Sequence, residues 1–290
     1  MGWRSQRLAA VLVAGAMLVV TGCGGGEVHS GVGEIPAPPP AKTFSLADFE
    51  PAGTAEEGAR TEVRFAIRQP DDTRLAAYAT GEGPHTGVHV MYVRDDLSTI
   101  IHRHPPIAPD GTIDDHVRFK APGRYRVVVD AYPERPVGSL KNFQLFRWLD
   151  VAGDAKDEPL PAFAAEQKVD GFTVRMESAP DLKALDASLI DVTVTDPKGR
   201  PAKFTPYYGA LAHAIFFRRQ SLDYFHTHVC TPGTPGCTST LGGAQVTGKT
   251  DAPGKLAVGV LLPVAGTWRL FIQVKANGKL LTAPFTLTVK

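Results

Sequence analysis

The stretch Gly87-Val-His-Val-Met-Tyr-Val-Arg-Asp-Asp-Leu-Ser-Thr-Ile-Ile-His-Arg-His-Pro105 decides how the rest of the chain is read. Its apolar and polar residues alternate in two short runs around Asp95-Asp96, the pattern of a β-hairpin. His89, His102 and His104 are spaced H-x12-H-x-H, and the spacing returns 124 residues later as His213, His226 and His228. Six of the nine histidines thus fall into two copies of one pattern, and the period divides the chain. A later strand repeats as well: Pro122 to Asp130 (PGRYRVVVD) matches Ala265 to Gln273 (AGTWRLFIQ) at an offset of 143. The second copy therefore carries 19 extra residues, among them Cys230 to Cys237 (CTPGTPGC).

Working outward, the first half reads as seven short strands: TEVRFAIR, RLAAYATG, GVHVMYVR, TIIHRH, DDHVRFK, GRYRVVVDAY and FQLFRWLDVA. Pro, Gly and Asp clusters punctuate them, and the second half repeats the recipe. The fold class this predicts is all-β: two tandem immunoglobulin-like antiparallel β-sandwich domains, after a signal peptide and a flexible tether. The expected boundaries are a signal peptide over 1–22, a Gly/Pro-rich tether over 23–43, domains over 44–152 and 169–290, and a linker over 153–168.

The N-terminus pairs Arg4 and Arg7 with a short apolar core and small residues before Cys23, an export signal rather than a membrane span. Val20-Thr21-Gly22-Cys23 resembles the lipobox of bacterial lipoproteins, which implies a lipid on Cys23 and an extracytoplasmic, membrane-anchored chain. Removing residues 1–22 takes two of the 31 basic residues and none of the 30 acidic ones, so the remainder is near neutral. That excludes an electrostatic nucleic-acid binder. The membrane, through the lipid, is the expected partner, with an envelope protein or a metal acceptor as a further one.

Strand parity brings the histidines together. His102 and His104 share a face. A two-residue turn at Asp95-Asp96 sets His89 opposite His102, and a four-residue loop sets it opposite His104. Either register gathers three imidazoles on one face, where opposite Cβ atoms are ~5 Å apart. In the second copy, a turn at Arg219-Gln220 sets His213 opposite His226. Imidazole suits copper and zinc, and His85 and Met91 are further candidates beside the first triad, the thioether favouring copper(I). The competing reading is structural: histidines in an apolar strand face can bond backbone carbonyls and do nothing else. In an exported chain Cys230 and Cys237 are expected to form a disulfide, although HTHVC…C also holds a zinc-like donor set. No G-x-S-x-G elbow, P-loop or H-E-x-x-H is present, and no enzymatic activity is expected. Asp114-Asp115 reads as solvated, Trp148 as core, and Tyr207-Tyr208 as loop packing, with the rim of the second site as the alternative.

The blocks HVMYVRDDLSTIIHRHP…PGRYRVVVDAY and PYYGALAHAIFFRRQSLDYFHTH…AGTWRLFIQ resemble bacterial secreted proteins and lipoproteins with YtkA-like or immunoglobulin-like domains. The resemblance spans most of residues 60–290 and implies copper or other heavy-metal handling by His89, His102, His104, His213, His226 and His228. The second copy departs from it, with Val229 in place of the proline and an inserted cysteine loop.

Overall fold

The structure, a computed structural model, describes residues 43–80, 86–135, 142–235, 237 and 250–290. The signal segment, the tether, Cys23 and His85 lie outside the described residues, and so does the side chain of His228. Residues 42–290 form one compact unit.

The first half holds β1 (Ser45–Glu50), β2 (Ala55–Glu56), β3 (Arg60–Arg68), β4 (Val88–Arg94), β5 (Ile100–Arg103), β6 (Thr112–Arg118), β7 (Gly123–Ala131) and β8 (Phe143–Ala152). These make a three-stranded sheet ordered β1-β3-β6 and a five-stranded sheet ordered β2-β8-β7-β4-β5. Every ladder is antiparallel except the two-residue β2–β8 pair. In immunoglobulin lettering the order is A-B-E against A′-G-F-C-C′. The second half holds β9 (Glu166–Val169), β10 (Phe172–Met176), β11 (Ser188–Thr195), β12 (Phe204–Thr205), β13 (Ala212–Arg218), β14 (Tyr224–Cys230), β15 (Lys255–Val260), β16 (Gly266–Ala276) and β17 (Lys279–Val289). They run continuously as β12-β16-β13-β14-β15-β11-β10-β9, with β17 on β16. β14 is the corner: it pairs with β13 along most of its length and with β15 through Val229 and Cys230. The fold is all-β, with no helix among the described residues and no sheet mixing strands of the two halves.

The repeat is visible in detail. Tyr125 donates its hydroxyl to Ala121 O (2.9 Å), the tyrosine corner of immunoglobulin-like sandwiches. At the equivalent position Trp268 donates its indole N–H to Val264 O (3.0 Å). Arg94 Nε donates to Pro122 O and Arg218 Nε to Ala265 O, each arginine lying against a left-handed glycine, Gly123 or Gly266.

The strands that matter most are buried on both faces. From β4, Val88, Val90 and Tyr92 enter the first core, with Val127 and Val129 of β7. From β13, Ala212, Ala214 and Phe216 enter the second. The opposite faces meet each other: Met91, Val93, Leu97, Ile100 and Val128 pack with Ile215, Phe217, Leu222 and Phe271 in a third apolar cluster. Leu97 and Leu222, one from each hairpin loop though one position apart in the repeat, both take positive φ and bury their side chains there.

Three expectations need correction. RLAAYATG is not a strand: Arg74 bridges Arg68 of one sheet and Tyr78 bridges Pro133, beside the other. A segment that changes sheets cannot keep a ladder. Asp115 is not solvated; it is 1 % exposed and accepts from Tyr92 Oη and Arg103 Nε, both at 3.0 Å. Trp148 is not core. It lies on the outer face of β8, 37 % exposed, with the Arg124 guanidinium 4.2 Å from its ring.

Candidate metal centre

Both hairpins close with four-residue loops. Arg94 N donates to Thr99 O and Arg218 N to Asp223 O. In the first hairpin Met91 lies opposite His102, and the same register continued by one residue sets His89 opposite His104. In the second, His213 lies opposite His228 and His226 opposite Ile215. The expected His213–His226 pairing around Arg219-Gln220 is therefore wrong by two residues. Two residues preserve parity, so His213 and His226 still share a face.

That shared face is the one packed against the other half. The two histidine sets are consequently one cluster. Ring centroids of His89 and His104 are 3.8 Å apart, those of His102 and His104 5.0 Å, and those of His213 and His226 5.3 Å. Across the junction, His102 and His213 are 5.0 Å apart, and His89 and His226 5.3 Å. One ligating nitrogen from each of His89, His102 and His104 lies within 4.8 Å of the other two. His89 and His213 are fully buried and His102 is 3 % exposed.

The hydrogen bonds assign tautomers. His102 Nδ1 faces Gln273 Oε1 at 3.1 Å, an amide whose nitrogen donates to Thr282 Oγ1. That places the proton on Nδ1 and the lone pair on Nε2, which points at His104 Nε2 3.2 Å away. His213 Nε2 donates to Tyr207 O at 2.8 Å, leaving the Nδ1 lone pair facing His226 Nε2 at 3.1 Å. Burial holds His102 and His104 well below the ordinary histidine range, and neighbouring imidazoles add to the effect. Burial also pulls His213 down to about 4, partly opposed by its bond to Tyr207. These three rings are neutral at pH 7, the form in which imidazole ligates.

Sequence reasoning missed Asp130 and Gln273 beside the rings. Asp130, directly opposite His89 and 1 % exposed, accepts from Asn142 (2.7 Å), Gln144 (3.0 Å), Tyr224 (3.2 Å) and Tyr132 (3.4 Å). Its Oδ2 lies 3.9 Å from His226 Nδ1. Gln273 occupies the matching place opposite His213. The signal was present: Asp130 and Gln273 are polar residues in apolar runs and stand at the 143-residue offset. Tyr208 stacks on His104, 3.7 Å between centroids and 5° between planes, so it borders the centre rather than filling a loop. Met91 is fully buried in the apolar cluster, its sulfur 3.9 Å from Tyr224 Oη. Cys230 and Cys237 form the expected disulfide, Cα atoms 6.1 Å apart, and Cys237 packs with Ala257 away from the imidazoles.

A family model described as a domain of unknown function (DUF8832) matches residues 167–290, the second half. No curated protein matches the chain. Among solved structures, the fibronectin(III)-like modules of Clostridium thermocellum CbhA align at 11 % identity and TM-score 0.21, covering 84 % of this chain and 92 % of that one. Domains 4 and 5 of the S-layer protein SbsC align at 10 % identity and TM-score 0.24, covering 85 % and 96 %. An alpha-2-macroglobulin mutant from Salmonella aligns at 12 % identity and TM-score 0.26; 87 % of this chain is covered but 15 % of that one. No function is carried across from any of them.

Proposed function

We propose that this chain is an extracytoplasmic lipoprotein, anchored through Cys23, that binds a transition metal at the junction of its two halves for sequestration or delivery rather than catalysis. The observation that carries the reading is the approach of His89, His102 and His104, whose ligating nitrogens lie within 4.8 Å of one another on a buried face. An all-imidazole set selects copper or zinc over hard cations. Buried rings hold an ion away from solvent, which suits storage and transfer better than an open catalytic position.

A structural reading has one observation in its favour, the bond from His213 to the Tyr207 carbonyl. The 3.2 Å contact of His102 Nε2 with His104 Nε2 is a hydrogen bond between neutral rings in that reading and a pair of ligating atoms in the metal reading. Calorimetric titration of the metal-free chain with zinc and with copper separates the two. Saturable binding in the wild type, lost in His102→Ala/His104→Ala while circular dichroism is unchanged, is the expected result. No binding tighter than ~10 μM, about −7 kcal/mol, refutes the metal reading and leaves an envelope scaffold with structural histidines.

A further inference from the structure

The two triads were expected to act as separate sites, one per half. Their rings instead meet in one place, and the donor atoms fall into two close pairs. His102 Nε2 and His104 Nε2 are 3.2 Å apart, and His213 Nδ1 and His226 Nε2 are 3.1 Å apart. Two nitrogens on one tetrahedral zinc, each ~2.0 to 2.1 Å from the ion, stand about 3.3 Å from each other. Both pairs already have that separation.

Each pair also has an outer partner, and the partners are exchanged between halves. Gln273, from the second half, fixes the distal nitrogen of His102. Asp130, from the first half, stands with its Oδ2 3.9 Å from the distal nitrogen of His226, an ion-pair separation longer than a hydrogen bond. His102 and His226 are equivalent by the 124-residue offset, and Asp130 and Gln273 by the 143-residue offset. An acceptor bonded to the nitrogen remote from the ion orients a ligating imidazole and raises its basicity, as Gln273 does for His102. The exchange means that neither half supplies a complete set alone.

The exchange is not perfectly symmetric, and the difference is a charge. Asp130 is a carboxyl group held by four neutral donors at 1 % exposure, and the side chain beside it that can carry positive charge is His226, 3.9 Å away. A buried anion of this kind calls for a cation close by. A divalent ion on His226 would supply it.

We propose that the junction holds two transition-metal ions in one centre: the first on His89, His102 and His104, the second on His213 Nδ1 and His226 Nε2, with the Asp130 carboxylate beside His226 balancing the second ion's charge. This rests on the metal reading above and extends it from one ion to two. The second site takes a divalent ion in preference to a monovalent one, because the carboxylate stands on its side of the centre. Gln273, an amide, leaves the first site uncharged.

The test counts ions. The full chain is stripped with chelator, loaded with zinc chloride or copper(II) chloride, desalted, and assayed for metal per chain. The wild type is expected to hold two ions, and His213→Ala/His226→Ala one. Asp130→Asn, which preserves size, is expected to weaken the second ion ten- to a hundredfold and leave the first unchanged; this variant answers the question if the double variant does not fold. With copper(II), paramagnetic resonance should show dipolar coupling between two ions, absent from either single-site protein. One ion in the wild type, indifferent to the second pair, overturns the proposal while leaving the first site standing. One ion lost equally from both double variants also overturns it, by showing a single shared ion. No ion in any protein overturns both readings.

Discussion

The metal-free chain should lose stability steeply on mild acidification, and the size of the loss follows from the buried imidazoles. His102, His104 and His213 are held below their ordinary range by burial, His213 at about 4. Their folded pKa values are lower than the unfolded value near 6.5, so between the two the unfolded chain binds more protons than the native one. Stability is therefore complete above pH 6.5 and falls as pH drops below it. Each such histidine contributes a slope of about 1.4 kcal/mol per pH unit. By pH 4.5 His213 alone removes about 2.5 kcal/mol, and His102 and His104 add to the loss in the same direction. Asp110, Asp181 and Asp196 also have lowered pKa values, from hydrogen bonds at the surface, but their contribution begins to fall near pH 4 and stays outside this window. Urea unfolding followed by tryptophan fluorescence at pH 7.0, 6.5, 6.0, 5.5 and 5.0, with chelator present, measures the slope. Trp268 is fully buried and reports on the second core. A slope of more than one proton below pH 6.5 is expected, and a smaller one in His213→Gln. A flat profile from pH 6.5 to 5.0 would refute the assignment of these rings as buried and neutral.

Two further substitutions separate ligands from packing. Met91→Leu should change stability by less than about 1.5 kcal/mol, as volume-conserving swaps do, and should leave zinc and copper affinity unaltered by calorimetry, because the sulfur faces Tyr224 Oη; a tenfold loss of copper affinity would make it a ligand. Gly123→Ala should destabilise by at least about 1 kcal/mol, since Gly123 has φ +120° and a Cβ there would stand 2.9 Å from Arg94 Nε; a denaturation midpoint equal to wild type would show that the arginine is free to move.

Most of the strand plan was legible in the sequence because period-two alternation is a local signal. β3, β6 and β11 alternate inward and outward residues and were readable one run at a time. The segment after β3 failed because Leu75 and Tyr78 do face the core, yet the backbone between them crosses from one sheet to the other. Alternation reports burial, not pairing. Trp148 failed for the converse reason: an aromatic in a strand pattern reads as core, but on the outer face of β8 it meets the guanidinium groups of Arg124 and Arg126. The histidines of each triad were placed on one face because parity survives any even loop. What the opposite half brings to them, Asp130 to His226 and Gln273 to His102, depends on docking, and no local pattern encodes it.

The docking itself explains why so many polar groups tolerate burial. The face shared by the two halves is divided. At one end, nine buried apolar side chains from both halves interlock. Fully burying a Val, Leu, Ile, Phe or Met side chain is worth about 1.5 to 3 kcal/mol, so this end alone contributes more than 10 kcal/mol, before the entropy of ordering is subtracted. The imidazoles and Asp130 occupy the other end, where partners from across the junction offset part of the desolvation. The apolar end therefore sets the separation of the rings without help from an ion. In a zinc finger the metal supplies the folding energy and the chain unfolds without it. Here the donor pairs stand 3.1 and 3.2 Å apart in a junction already closed by hydrophobic contacts. Weakening that end, as in Phe217→Ala, should loosen the histidines and lower metal affinity even though Phe217 touches no ion, whereas removing the metal should leave the fold intact.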